Sequence, residues 1–250
     1  MDWAAKCAVV LPCFNEGVTI GRLVGALRQR RLRVIVLDDG STDDTAVRAA
    51  EQGARVVPSG HNRGKGAALQ TGLGTARHEG FDWALTMDGD GQHQPEDIPA
   101  FWRRAAETDA RLVIGNRMPH ARALPPLRRF VNRWLSRQLS RRAVRPLPDS
   151  QCGFRLLELR AWSGLALRTE HFEIESEMLL AFLDAGHRVE FVPIQVVGAG
   201  RRSKIRPVAD SWRWFRWWRT AGRAPALGPV RRAAPEREFA HGSRAVKVRA

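Results

Sequence analysis

The sequence predicts an α/β fold: a Rossmann-like, mostly parallel sheet flanked by helices, followed by an amphipathic interfacial helix and a basic tail. Three observations carry this. Short apolar runs alternate with longer amphipathic ones as far as Gly115, and such alternation builds parallel sheets. Polar clusters rich in Asp, Asn and Gly follow three of the apolar runs, where an open sheet binds its ligands. Late in the chain, residues 211–223 interleave five aromatic side chains with four arginines at helical spacing.

The elements follow in order. Residues 7–11 form a compact β-type run that stops at Pro12. Residues 17–30 repeat apolar side chains at helical spacing through Ile20, Leu23, Val24 and Leu27. Residues 34–37 are a second strand, turning at Asp38-Asp39-Gly40-Ser41, and Thr42 is placed to cap a helix running to about Gln52. A third strand is expected at 55–57, a helix at 64–77 and a fourth strand at 83–87, ending at Asp88. Pro95 suits the first turn of a helix over 95–107, and 111–114 reads as a fifth strand. Beyond Gly115 the alternation loosens into a basic helix at 127–142, an amphipathic helix at 172–185 and a strand at 188–192. From 225 onward Pro, Gly, Ala and Arg dominate without a period, so this segment is expected to be disordered.

Composition limits the class. Hydrophobic residues make up 44% of the 250, which fits a folded domain. No apolar run approaches the ~18 residues that span a bilayer. The first residues lack a basic stretch ahead of a signal-type apolar run, so a cytoplasmic protein is expected. Cys7, Cys13 and Cys152 have no metal-ligand spacing and read as reduced thiols. The net charge of +15 is concentrated: residues 201–250 hold fourteen Lys plus Arg against three acids, so the body is only mildly basic. Three segments result: a main domain at 1–205, an interface helix at 206–224 and a basic tail at 225–250.

The strand-end clusters carry the chemistry. They are Pro12-Cys13-Phe14-Asn15-Glu16, Asp38-Asp39-Gly40-Ser41 and Asp88-Gly89-Asp90-Gly91-Gln92-His93. Asp88 and Asp90, separated by a glycine, can face one hard cation from a turn, and Mg²⁺ and Mn²⁺ favour such oxygen ligands. A single Asp-x-Asp is more often a surface turn, but three acidic clusters on one rim are harder to account for that way. Gly64-Lys65-Gly66 fails the Walker pattern, and neither a Gly-x-Gly-x-x-Gly after the first strand nor a Gly-x-Ser-x-Gly elbow occurs.

Jointly these residues resemble family 2 inverting glycosyltransferases of the GT-A fold, over roughly residues 7–205. The resemblance rests on Val9-Val10-Leu11-Pro12-Cys13-Phe14-Asn15-Glu16, Leu37-Asp38-Asp39-Gly40-Ser41-Thr42-Asp43, Asn62-Arg63-Gly64-Lys65-Gly66-Ala67-Ala68, Met87-Asp88-Gly89-Asp90-Gly91-Gln92-His93 and Gly115-Asn116-Arg117. Asp149-Ser150-Gln151-Cys152-Gly153-Phe154-Arg155 looks like the Asp-x-x-x-Gly-Phe signature of polyprenyl-phosphate mannose and glucose synthases. The resemblance implies a nucleotide pocket lined by Pro12, Phe14, Glu16, Leu37 and Asp39. It implies a Mg or Mn ion on the donor diphosphate, held by Asp88, Asp90 and Gln92, with Gly89 between them. Arg117 and Arg133 are then expected at the acceptor phosphate, and Lys204 with Arg201 or Arg202 as a phosphate clamp. The branch places an Arg six residues before that Lys, where this chain has Gly198.

The expected activity is transfer of a hexose, with inversion, from GDP-mannose or, second, UDP-glucose to a polyprenyl phosphate. A lipid phosphate is already ionised, so positioning by Arg matters more than a base. A hydroxyl acceptor would need a carboxylate base, for which Asp149 and Glu175 are the candidates. For Asp149 the plainer alternative is a brace for a turn, and for Glu175 a place on a solvated helix face. In 211–223 the four arginines fall in one arc, with Trp214, Phe215, Trp217 and Trp218 opposite, the layout of a helix lying on an anionic membrane surface. Docking of that helix on the body is the plainer alternative. A nucleic-acid-binding protein is the rival class, disfavoured because the acidic rim has no role in it.

Overall fold

A computed structural model describes residues 2–197 and 207–221; for 122, 123 and 207–210 it describes the backbone alone. The first apolar runs become β1 (Cys7–Cys13), β2 (Arg33–Asp38), β3 (Arg55–Pro58) and β4 (Trp83–Thr86). β1 pairs in parallel with β2 and β4, and β2 with β3. Val9, Val10, Leu11, Ile35, Val36 and Leu85 are completely buried, as both-face covering demands, which is why these strands read as unbroken apolar runs. The cover comes from α1 (Trp3–Lys6), α2 (Ile20–Gln29), α3 (Thr45–Glu51), α4 (Lys65–His78) and α5 (Ile98–Thr108). α2 buries the four residues its spacing picked out, Ile20, Leu23, Val24 and Leu27. Thr42 does not cap α3: its N–H donates to Asn15 Oδ1 at 2.8 Å, and the helix begins three residues later.

β5 (Leu112–Asn116) and β7 (Val189–Pro193) pair in parallel, as expected. Between β4 and β5 lies an element the pattern did not reveal, β6 (Arg155–Glu158), antiparallel to both. Its ends are charged and only Leu156 and Leu157 between them are apolar, too short a run to stand out. The strand order is β3-β2-β1-β4-β6-β5-β7. α7 (Leu159–Ser163), also missed, follows directly, and α8 (Ile174–Asp184) precedes β7.

α6 (Pro126–Ala143) packs in an unusual sense. Its buried residues are Asn132, Ser136 and Leu139, while Leu127, Phe130 and Trp134 are exposed. α9 (Pro207–Ala221) corrects the expectation for the tryptophan segment. Trp214 is buried, donates from Nε1 to Ser176 Oγ at 3.0 Å and stacks on Trp218 at 5.3 Å between ring centroids. Trp217 and Trp218 pack against the core. Three of the four aromatics expected at a membrane therefore turn inward, because α8 and α6 supply an indole-sized seat with a hydrogen-bond acceptor in it. Trp212 and Phe215 remain exposed. The three cysteines are free and buried; burial pushes the Cys7 and Cys152 thiols up to about 12, making them packing groups. The tail at 225–250 lies outside the described residues.

Candidate active site

The three strand-end clusters meet on one rim, and hydrogen bonds lace them. Asn15 N donates to Ser41 Oγ at 2.9 Å, Glu16 N to Thr45 Oγ1 at 2.8 Å and Gly17 N to Asp43 Oδ2 at 3.0 Å. Thr19 Oγ1 donates to Gly89 O at 2.9 Å, tying the loop after β4 to the loop after β1. Pro12, Phe14 and Glu16 are half-buried at this rim. Leu37 and Asp39 sit beneath it. Leu37 packs over Gly72 of α4. Asp39 is buried and accepts the N–H groups of Arg63 and Gly64, both at 2.8 Å. It holds the loop that leads into α4, and that loop delivers Lys65.

Lys65 is the hub that sequence reasoning passed over. Its Nζ lies 2.6 Å from Asp88 Oδ1 and 2.6 Å from Glu175 Oε1. Burial works against these charges, yet Asp88 and Glu175 keep Lys65 protonated above its usual range. Burial alone would raise Asp88, but the Lys65 ammonium more than offsets it and holds this carboxyl well below the usual carboxylate range. Glu175 is buried, and its Oε2 has no hydrogen-bond partner among the described residues. It is therefore not on a solvated helix face. Its position beside Lys65 was marked only by the Gly64-Lys65-Gly66 spacing, which points to the loop and not to its partner.

Asp90 Oδ1 accepts from Gln92 N at 3.0 Å, and Gln92 Oε1 meets Arg128 Nη1 at 3.5 Å. His93 Nδ1 accepts from Asp88 N at 3.2 Å, and its Nε2 faces Cys152 Sγ at 4.0 Å. Burial lowers its pKa, so His93 is neutral and shapes the loop. Among the described residues no three His, Cys, Asp or Glu side chains form a closed metal cage. Mg²⁺ and Mn²⁺ do not need one: they are held by one or two carboxylates and completed by waters and substrate phosphates. Asp88 and Asp90 on one glycine turn fit an ion of that kind.

The Asp149–Arg155 segment closes against this rim. A Cβ on Gly153 would lie 2.8 Å from Asp88 Oδ1 and 2.9 Å from Lys65 Nζ, so a larger residue there would displace the Asp88–Lys65 pair. Phe154 is buried against Phe101 and His93, at 4.3 and 5.1 Å between ring centroids. Asp149 is fully buried and accepts from Arg117 Nε at 2.7 Å, Arg117 Nη2 at 2.8 Å and Asn132 Nδ2 at 2.9 Å. Burial alone would raise this carboxyl, but the Arg117 guanidinium more than offsets it and the group stays below its ordinary value. Both oxygens are occupied and the charge is stabilised, the opposite of what a base requires. Arg117 is likewise buried, its fork spent on Asp149 and not turned to an open acceptor site. Arg155, also buried, donates to three backbone carbonyls: Cys152 at 2.8 Å, Glu175 at 2.7 Å and Ser150 at 2.9 Å.

Arg133 is exposed and lines a cavity of about 720 Å³ with Arg129, His120, Met118, Gln195 and Val196. A cavity of about 800 Å³ between α4 and α7, lined by Arg77, His78 and Trp162 among others, includes none of the strand-end carboxylates. Arg201, Arg202 and Lys204 lie outside the described residues.

Residues 8–161, more than half of the chain, match the family model for glycosyl transferase family 2. The chain belongs to that family. Among its relatives, this family 2 glycosyltransferase is 30% identical over 208 residues to an undecaprenyl-phosphate mannosyltransferase of Micrococcus luteus, covering 77% of this chain and 84% of that one. It is 28% identical over 212 residues to a UDP-N-acetylglucosamine–dolichyl-phosphate N-acetylglucosaminyltransferase of Methanococcus voltae, covering 76% and 84%. Its fold matches glucosyl-3-phosphoglycerate synthase of Mycobacterium tuberculosis, solved with Mn²⁺, UDP and product, at a TM-score of 0.64 and 22% identity, covering 84% of this chain and 76% of that one. The GT-A architecture of the family is the one described above.

Proposed function

We propose that this glycosyltransferase moves a hexose, mannose before glucose, from a nucleoside diphosphate sugar to a polyprenyl phosphate with inversion, at the cytoplasmic face of a membrane. One arrangement carries the reading: the Asp149–Arg155 segment sits against Asp88 and Lys65, and Arg117, bonded to Asp149, leads directly into Met118 in the lining of a cavity shared by Arg129 and Arg133. An acidic donor rim adjoining a cationic acceptor cavity matches a reaction between a metal-chelated diphosphate and a phosphate nucleophile. The two enzymes named above act on undecaprenyl and dolichyl phosphates, and that shared acceptor class supports the assignment.

Asp90, with the free edge of Asp88 and Gln92, would hold Mg²⁺ or Mn²⁺. The ion supplies Lewis-acid stabilisation of the departing diphosphate. Pro12, Phe14 and Glu16 border the nucleotide at the rim, Leu37 and Asp39 support it from below, and Gly89 lets the metal loop pass close to Cys13 and Glu16. Arg133 and Arg129 neutralise and orient the acceptor phosphate, whose oxygen attacks without a base. Arg117 and Asp149 brace the segment between the two sites. Glu175, with an unpartnered oxygen beside Lys65, accepts a hydrogen bond from a hydroxyl of the donor sugar. Arg201, Arg202 and Lys204 clamp the diphosphate.

A panel of nucleotide sugars tested with Mn²⁺ and undecaprenyl phosphate decides the matter. Sugar transfer to the lipid phosphate is expected for one donor above the rest. Transfer only to saccharide or lipid hydroxyls would overturn the acceptor assignment.

A further inference from the structure

Leu127, Phe130 and Trp134 follow one another at i, i+3 and i+7 along α6 and are 67%, 68% and 44% exposed. The buried face of the same helix carries Asn132, which donates to Asp149, and Ser136, which meets Ser150 Oγ at 3.0 Å. A helix packed on a protein and bathed by water has the opposite arrangement. α9 extends the apolar surface: the Trp134 and Trp214 rings are 5.7 Å apart, and Trp212 and Phe215 on that second helix are exposed. Cations border these side chains. Residues 126–143 hold six arginines and no acid; Arg133, Arg137 and Arg141 are exposed on α6, and Arg216 and Arg219 on α9.

We infer that this surface docks on a membrane, that its occupant is a bilayer with anionic headgroups, and that α6, not the tail, is its principal element. Apolar side chains flanked by guanidinium groups match the boundary between acyl chains and headgroup phosphates. The alternative occupants match less well. Residues 222–250 hold seven Lys plus Arg against two acids, and a second copy would set arginines against arginines. The inference rests on the lipid-phosphate reading of the acceptor and extends it. Arg129 and Arg133, which line the acceptor cavity, lie on α6 among the docking residues. Docking holds that cavity at headgroup depth, where the charge of a prenyl phosphate resides.

The test is co-sedimentation of the full chain with phosphatidylcholine vesicles, with and without phosphatidylglycerol. Leu127→Ser, Phe130→Ser and Trp134→Ser are combined in one variant; a second carries only the first two, keeping the Trp134–Trp214 contact. The wild type is expected to bind the anionic vesicles, the triple variant to lose at least about tenfold in partition and the double variant a smaller factor. A chain ending at Ala221 keeps most of the binding. Calorimetry with a nucleoside diphosphate and Mn²⁺ should give the same affinity for all forms, showing an intact donor site. A wrong acceptor assignment shows itself separately, as normal vesicle binding with no transfer to polyprenyl phosphate. Equal sedimentation of the wild type and both variants overturns the inference. It is also overturned by a wild-type dimer that the variants convert to monomer, since a second copy then covers α6. Loss of most vesicle binding on removal of 222–250 overturns it as well, because the tail is then the principal element.

Discussion

The two halves of the sheet, joined at the β4–β6 pairing, handle polarity in opposite ways. From β1 to β4 the interior is apolar and the polar side chains gather at the strand ends. From β6 to β7 a polar chain runs through the interior: Arg117 to Asp149, Asp149 to Asn132, Asn132 to Ser136, Ser136 to Ser150, and Gln151 through Ser176 to Trp214. The first half therefore owes its fold to burial of surface, which tolerates changes at the rim. The second buries apolar strands too, among them Leu112, Val113, Ile114, Leu156 and Leu157, but adds a polar chain in which a missing partner leaves a buried group unsatisfied.

The largest effect should come from breaking the second half. Asp149→Ala leaves Arg117 buried without its counter-ion and should cost about 3–5 kcal/mol in denaturant unfolding. The acid dependence has a definite sign. The folded pKa of Asp149 lies below the ordinary carboxylate value of about 3.9. Its contribution is therefore complete above that value and is lost as pH falls through the lower, folded one. The gap between wild type and Asp149→Asn should stay constant from pH 7 to about 5 and close only in stronger acid; a gap that closes near neutrality would exclude this account.

Asp90→Asn probes the first half. Transfer at limiting Mn²⁺ should fall about 10²-fold while the unfolding midpoint stays within experimental scatter. Near-normal turnover there would remove Asp90 from the metal site. Lys65→Met sits on the border. It strips the shared cation from Asp88 and Glu175, and nucleoside diphosphate affinity should drop about tenfold by calorimetry with a modest loss of stability. An unchanged affinity would make Lys65 purely structural. The smallest effect is Trp214→Phe, which deletes the hydrogen bond to Ser176 and should cost about 1 kcal/mol without touching transfer.

The same contrast decides what the sequence revealed. β1, β2 and β4 were legible because strands covered on both faces must be continuously apolar, and the Asp88 and Asp90 turn because it ends one of them. β6 was hidden by its charged ends. The inward turn of Trp214 was hidden because helical periodicity separates two faces but does not say which one meets protein. Asp149 was found as a motif residue, but its burial under Arg117 depends on a contact 32 residues away in sequence. No local spacing encodes such a contact. Lys65 stood in a quoted motif, yet its bond to Glu175 is a tertiary fact of the same sort.

Arg155 has a consequence for how the molecule breathes. Its guanidinium holds the carbonyls of Ser150, Cys152 and Glu175 from within β6, whose backbone is paired on both sides. The signature segment is thus bolted to the middle of the sheet and cannot open as a loop on its own. Its amides at Ser150 and Gln151, which donate to Ser136 and Asp149, should exchange with deuterium only through unfolding of the whole domain. The amides of Asn15 and Thr42, bonded across the rim between two loops, should exchange far sooner, through local openings. Exchange mass spectrometry would then find a rigid wall facing a yielding one across the same cleft. On the function proposed above, the yielding wall would be the one that admits and releases the nucleotide, and the fixed one would keep the register of the acceptor.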